Sequence, residues 1–124
     1  MPIQRDKARN FLAHSFGVFL AIISVHSAHA VLFEVTLTND SGPGSFRQAL
    51  INANTNTGNH IIAFKIPGSG PFTIRPASAL PIITNAVVID GTTQTNYSGS
   101  PRIEINGTNA GSGGVAGLYL AASN

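Results

Sequence analysis

Few side chains in this sequence are able to do chemistry, and they are widely separated along the chain. Cysteine is absent, and beyond residue 30 the only histidine is His60. A zinc site needs three or four closely placed nitrogen, sulfur or oxygen ligands, and a glycosidase needs two carboxylates flanking the scissile bond. The spacing of the acidic residues beyond residue 30 indicates neither kind of site. These acids are Glu34, Asp40, Asp90 and Glu104.

Asp90 is the acid whose neighbours are most suggestive of a site, but they favour a turn. It precedes Gly91, and the matching position in a later, similar segment is Asn106, which precedes Gly107. An Asp or Asn side chain in this position supports a tight bend by accepting hydrogen bonds from the backbone. Glu104 is expected on an outward strand face, too isolated to complete a two-carboxylate site. We therefore predict two repeated turns at these positions, and we expect no catalytic residue, metal or cofactor.

The first thirty residues have the order of charge and hydrophobicity that is typical of a secretory signal peptide. Basic residues precede an uncharged stretch from Phe11 to Val25, and the small residues at 27–30 form a cleavage site. The apolar stretch is shorter than the roughly 20 residues that span a bilayer. We predict a signal peptide at residues 1–30. The mature chain, residues 31–124, is then secreted, periplasmic or held at the cell surface, without a transmembrane span.

The composition of the mature chain limits its partners. Beyond residue 30 four basic residues balance the four acids, so the formal net charge is zero and no basic stripe indicates nucleic acid. Without cysteine there is no disulfide framework, and stability has to come from burial and backbone pairing. The four basic residues are Arg47, Lys65, Arg75 and Arg102.

Short strands bounded by Gly, Pro, Asn or Ser are predicted for most of the mature chain, with one exception at residues 45–54. There the apolar side chains recur with helical spacing and form a single stripe. Ser45 and Gln48 have the spacing of a capping box, in which the two side chains satisfy backbone donors reciprocally. We predict a short helix that caps the N-terminal end of a strand-built core. The apolar stripe consists of Phe46, Ala49, Leu50 and Ala53.

A repeated segment suggests how the strands are arranged. Residues 87–92 match residues 103–108 at a spacing of 16, and a weaker copy follows 15 residues later at 117–121. Equal spacing of short strands is typical of a solenoid, in which parallel strands stack about 4.8 Å apart. We therefore predict an all-β fold, a parallel β-helix, of which this chain holds the cap and first turns. The internal ladders expected are Val87 over Ile103 over Leu118, and Ile89 over Ile105 over Leu120.

Two segments carry a resemblance to a known group of proteins. Residues 36–54 and 87–109 resemble the N-terminal region of bacterial exported right-handed parallel β-helix proteins, which are pectin-lyase-like and bear a C-S-L-R-E-A-I-x-x-A-N motif. Here the motif reads GSFRQALINAN, with Gly44 in place of the cysteine and Gln48 in place of the glutamate. The resemblance implies a right-handed solenoid on a secreted or surface protein.

Two classes of function are consistent with these features, and a third reading gives the chain no function. The leading hypothesis is a noncatalytic secreted or cell-surface β-helix module that adheres to carbohydrate or to cell-surface components. The alternative is the N-terminal part of a β-helix polysaccharide lyase or glycosidase whose active-site strands lie beyond residue 124. A nonfunctional truncation product is the third reading. The strand at 117–121 has neither a helix nor a charge after it, so we also predict self-association through that open C-terminal edge.

We expect cleavage after Ala30, because Ala28 and Ala30 occupy the small-residue positions that signal peptidase requires. Amino-terminal sequencing of the exported protein should find Val31 first. A mature form that retains the stretch from Phe11 to Val25 would contradict this prediction.

Overall fold

The computed structural model describes residues 29–122, which contain five short strands, one α-helix and two short 3-10 helices, Gly91–Thr93 and Gly107–Asn109. The predicted signal peptide lies outside the described residues except for His29 and Ala30. Among residues 29–122 no helix is long and apolar enough to cross a membrane. The elements are β1 (Leu32–Val35), α1 (Phe46–Thr55), β2 (His60–Phe64), β3 (Phe72–Ile74), β4 (Val87–Asp90) and β5 (Ile103–Ile105).

The strands form two small sheets, and every pair is parallel. One sheet has the order β1-β2-β4, and the other joins β3 to β5. Parallel neighbours cannot be joined by a tight hairpin, so the chain passes through α1 between β1 and β2, and through β3 between β2 and β4. A further parallel bridge links Ile83 to Leu120.

These pairings contradict the predicted β-helix. Val87 pairs with His60 of β2, and Ile103 pairs with Phe72 of β3, so β4 and β5 lie in different sheets. The described residues form a small mixed α/β domain with one helix, and neither the all-β class nor a pectin-lyase-like solenoid is seen in them. Residues 87–92 and 103–108 share the same local structure, a strand followed by a turn, but the two strands do not pair with each other. The ladders that do not form are Val87 over Ile103 over Leu118, and Ile89 over Ile105 over Leu120.

The helix α1 begins after Ser45, whose hydroxyl accepts a hydrogen bond from the backbone N–H of Gln48 at 3.2 Å. The second half of the capping box is absent, because the Ser45 backbone N–H donates to the carbonyl of Gly42 at 3.1 Å and not to the Gln48 side chain. The Gln48 side-chain NH2 group donates to Asn52 Oδ1 at 2.9 Å. The apolar stripe faces the interior as expected. Its buried members are Phe46, Ala49, Leu50 and Ala53.

The core lies between α1 and the two sheets. Phe46 of the helix and Phe64 of β2 meet with their ring centroids 5.7 Å apart, and Leu50 is buried in the same cluster. Val35 at the end of β1 is fully buried there as well. The helix therefore closes the apolar cluster on the side where β1 and β2 pair.

Two side-chain amides act as strand partners where no backbone strand is available. The Asn54 amide donates to Ile82 O at 2.6 Å and accepts from Thr84 N at 2.9 Å. The buried Gln94 amide likewise accepts from the backbone N–H of Ile66 at 2.9 Å and donates to its carbonyl at 2.8 Å. Buried backbone groups without partners are costly, so these amides extend the pairing beyond the ends of the short strands.

We expect Leu50→Asp to lower the free energy of unfolding by about 3 kcal/mol or more, because it places a charge in the apolar cluster. Ile51→Asp is the matched control, since Ile51 lies on the same helix but is exposed. Chemical denaturation of both variants tests this. Equal losses would show that α1 is not docked through its apolar stripe.

Candidate functional site

His60 is a structural residue. Its ring is buried, Nδ1 accepts a hydrogen bond from the backbone N–H of Val31 at 3.3 Å, and Nε2 lies 3.0 Å from the carbonyl of Asn56. With Nδ1 accepting from Val31, Nε2 is the nitrogen placed to donate to the Asn56 carbonyl. Both nitrogens are thus occupied, which leaves neither for a metal ion or a substrate.

Asp40 and Arg47 form a clamp between α1 and a distant loop. The Arg47 guanidinium donates to Asp40 Oδ1 at 2.7 Å and to the carbonyls of Ser78 and Ala79 at 2.9 Å and 2.6 Å. The same carboxylate oxygen accepts from the backbone N–H of Ala77 at 3.1 Å. The hydrogen bonds from Arg47 hold the pKa of Asp40 below its ordinary value of 3.8. The arginine of the GSFRQALINAN motif therefore stabilises the fold.

Asp90 and Asn106 support turns of the same construction. Asp90 Oδ1 accepts from the hydroxyl and the backbone N–H of Thr92, at 2.6 Å and 2.9 Å. Asn106 Oδ1 makes the same two bonds with Thr108, at 2.5 Å and 3.1 Å. Each side chain caps a short 3-10 helix that starts at Gly91 or Gly107. The Thr92 hydroxyl, followed by its N–H, lowers the pKa of the Asp90 carboxyl.

The remaining acids have partners on the protein surface. Glu104 accepts a hydrogen bond from the Thr73 hydroxyl at 2.8 Å, and Glu34 lies 3.4 Å from the Lys65 ammonium. Within residues 29–122 no three His, Cys, Asp or Glu side chains converge as a metal site would need. The structure therefore does not gather the acids and His60 into one reactive cluster.

A pocket of about 200 Å³ opens beside the Asp90 turn. Its lining includes a tyrosine, an arginine and a threonine. Tyr97 is 40% exposed there, so its ring is available to a ligand. The pocket is lined by Gly91, Thr92, Tyr97, Pro101, Arg102 and Ile103.

Hydrogen bonds hold the backbone at Tyr97 and the side chain of Arg102. Tyr97 follows Asn96, whose φ of 67° turns the loop, and the Tyr97 N–H donates to the carbonyl of the buried Gln94 at 3.0 Å. Arg102 precedes β5, and its Nη2 donates to the Ser69 carbonyl. Its Nε is buried without a hydrogen-bond partner among the described residues. We call this recess the Tyr97–Arg102 pocket.

Comparison with known protein families, with curated proteins and with solved structures finds no match to this chain. The resemblance given above thus rests on the quoted motif residues alone.

Neither Tyr97 nor Arg102 was among the candidate site residues predicted from the sequence. Both lie in a loop rich in Gly, Ser and Pro that reads as a connection between strands. The only available signal was a tyrosine and an arginine close to a repeated turn, and neither residue type is unusual in a loop.

Acid should destabilise the fold partly through Asp40. Because the folded-state pKa of this carboxyl is lowered, its contribution is present above the ordinary value of 3.8 and is lost as the pH falls through the folded-state pKa. Thermal unfolding measured from neutral pH downward should show a smaller acid-induced loss for Asp40→Asn than for the parent. Some loss should persist, since the pKa of Asp90 is lowered too. An unchanged pH dependence in Asp40→Asn would contradict this assignment.

Proposed function

We propose that the protein is a noncatalytic module that contacts carbohydrate through the Tyr97–Arg102 pocket. The observation that carries the proposal is a small recess lined by both Tyr97, which is 40% exposed, and Arg102. The charge order of residues 1–30 supports a location outside the cytoplasm.

The chemistry of the pocket suits a sugar ring. A tyrosine offers a flat apolar face together with a polar hydroxyl, which matches the C–H face and the hydroxyl groups of a pyranose. Arg102 and Thr92 add hydrogen-bonding groups at the edge of the same recess. Binding pockets generally combine an apolar surface with a few convergent polar groups in this way.

The size of the pocket favours one sugar unit of a larger polymer. Its volume of about 200 Å³ is below the roughly 300–1,000 Å³ that is usual for a site enclosing a whole small molecule. A chain end or a branching sugar would enter the recess, while the rest of the polysaccharide stayed in solvent.

The pocket residues are restrained before any ligand binds. The loop that carries Tyr97 is anchored by Gln94, which bonds both backbone groups of Ile66. Arg102 is held on the other side, because its carbonyl accepts from the Phe72 N–H at 2.8 Å in the pairing of β3 with β5. Restraint of this kind lowers the entropic cost of binding.

The noncatalytic part of the proposal is supported by how the reactive residues are used. Asp40 is bound to Arg47, Asp90 to Thr92, and His60 is buried with both ring nitrogens engaged. A general acid or base has to reach the substrate at hydrogen-bond distance. Asp40 instead holds Arg47 in the clamp, Asp90 supports its turn, and His60 is buried at the start of β2.

The test is a binding measurement on an array of neutral and acidic oligosaccharides, followed by titration with the oligosaccharide that binds best. We expect Tyr97→Ala to weaken binding by about tenfold, because the stacking surface is lost. Tyr119→Ala is the matched control, since Tyr119 is 57% exposed and does not line the pocket.

Three outcomes would contradict the proposal. The first is equal weakening of binding by Tyr97→Ala and Tyr119→Ala, and the second is no binding to any oligosaccharide on the array. The third is cleavage of the bound oligosaccharide, which would favour an enzyme instead.

A further inference from the structure

The strand β4 lies at the edge of its sheet, and one side of its backbone has no strand partner among the described residues. The His60 N–H donates to Ala86 O. Alternate residues of β4 therefore direct their backbone N–H and C=O groups toward β2, and the residues between them direct these groups away from it. Since Val87 is directly opposite His60, Val87 and Ile89 direct their N–H and C=O groups to the open side. A strand with such groups free is a template for pairing with another chain.

The outward face of this sheet carries an apolar row that ends at the same edge. Leu32, Ile61 and Val88 are neighbours in register across β1, β2 and β4. They are 55%, 40% and 60% exposed, respectively. Charged side chains and prolines are the usual protection of an edge strand, and β4 has only Asp90, at its end, for this purpose.

The interior of the molecule is also less closed on this side. Val87 and Ile89 of β4 are only partly buried, whereas Phe46 and Leu50 of α1 are fully buried. A groove of about 430 Å³ runs beside β4, with Ile83 and Leu120 among its lining residues. Apolar side chains and free backbone groups thus occur together along one edge.

We infer that a second copy of this chain binds here, by antiparallel pairing of β4 with β4 of the partner subunit about a twofold axis. A strand edge is complementary to itself in this arrangement, which makes an isologous contact. Each Val87 pairs with Ile89 of the partner subunit, so the outward-pointing N–H and C=O groups of both copies are satisfied.

The charges favour this register over its neighbour. With Val88 opposite Val88 of the partner subunit, the two apolar rows join into one stripe and the two Asp90 carboxylates lie at opposite ends. A shift that pairs Ile89 with itself would set Val88 against a partner carboxylate. The described residues hold four basic and four acidic side chains, so no net charge opposes association of two copies.

This surface differs from the one predicted from sequence, which was the strand at 117–121. Of that segment, Leu120 forms a bridge to Ile83, whereas β4 offers a longer edge with an apolar row beside it. Pairing through β4 does not require the proposed carbohydrate binding.

Disulfide trapping tests the pairing directly, because the chain has no cysteine of its own. In the proposed register the two Val88 positions face each other in a non-hydrogen-bonded pair, with Cα atoms about 4.5 Å apart, which is within the range of a disulfide. Val88→Cys should therefore cross-link as a dimer under mild oxidation. Ile61→Cys, in the same exposed row but on the central strand β2, is the control and should remain monomeric.

Sedimentation of the parent chain provides the second measurement. The parent should dimerise reversibly, and Val88→Lys should raise the dissociation constant by about tenfold, because like charges would face each other across the pair. Circular dichroism should show that each variant is folded, as expected for substitutions at exposed positions. A parent that is monomeric at every concentration, or equal cross-linking of both cysteine variants, would overturn the inference.

Discussion

A ten-residue helix is rarely stable alone in water, so α1 depends on the burial of Phe46 and Leu50 against β1 and β2. That contact also covers the side of the apolar cluster where Val35 and Phe64 lie. The Arg47 clamp then ties the exposed side of the helix to the loop at 77–79. Helix and strands are therefore mutually dependent, and the loops that follow are attached to this unit.

Very short strands leave many backbone groups without a partner, and side chains supply the missing partners. Asn54 and Gln94 each bond a backbone N–H and a carbonyl, as a strand would. In the case of Gln94 the effect extends to the candidate site, because the loop bearing Tyr97 starts from this buried residue. The side-chain amide that completes the sheet therefore also anchors the loop that carries Tyr97.

The pocket and the inferred dimer surface are both organised by β4. The strand provides the free edge, and the Gly91 turn that follows it lines the pocket. Antiparallel pairing of two β4 strands would place the two pockets at opposite ends of the paired segment. Such a dimer would offer two sites to one polysaccharide, and binding at both would raise the apparent affinity through effective concentration.

What the sequence by itself determined is local. The apolar stripe and Ser45 predicted α1 and its cap, and the Asp90 and Asn106 positions predicted two turns, because helices and turns depend on residues a few positions apart. Tertiary structure alone decided the sheets, since Phe72 pairs with Ile103 across a long stretch of chain. A strand followed by a turn has the same local chemistry in either sheet, which is why the 16-residue repeat indicated the wrong partners. Tyr97 and Arg102 are close in sequence, but the β3–β5 pairing and the Gln94 anchor that hold their loop are not visible as a local pattern.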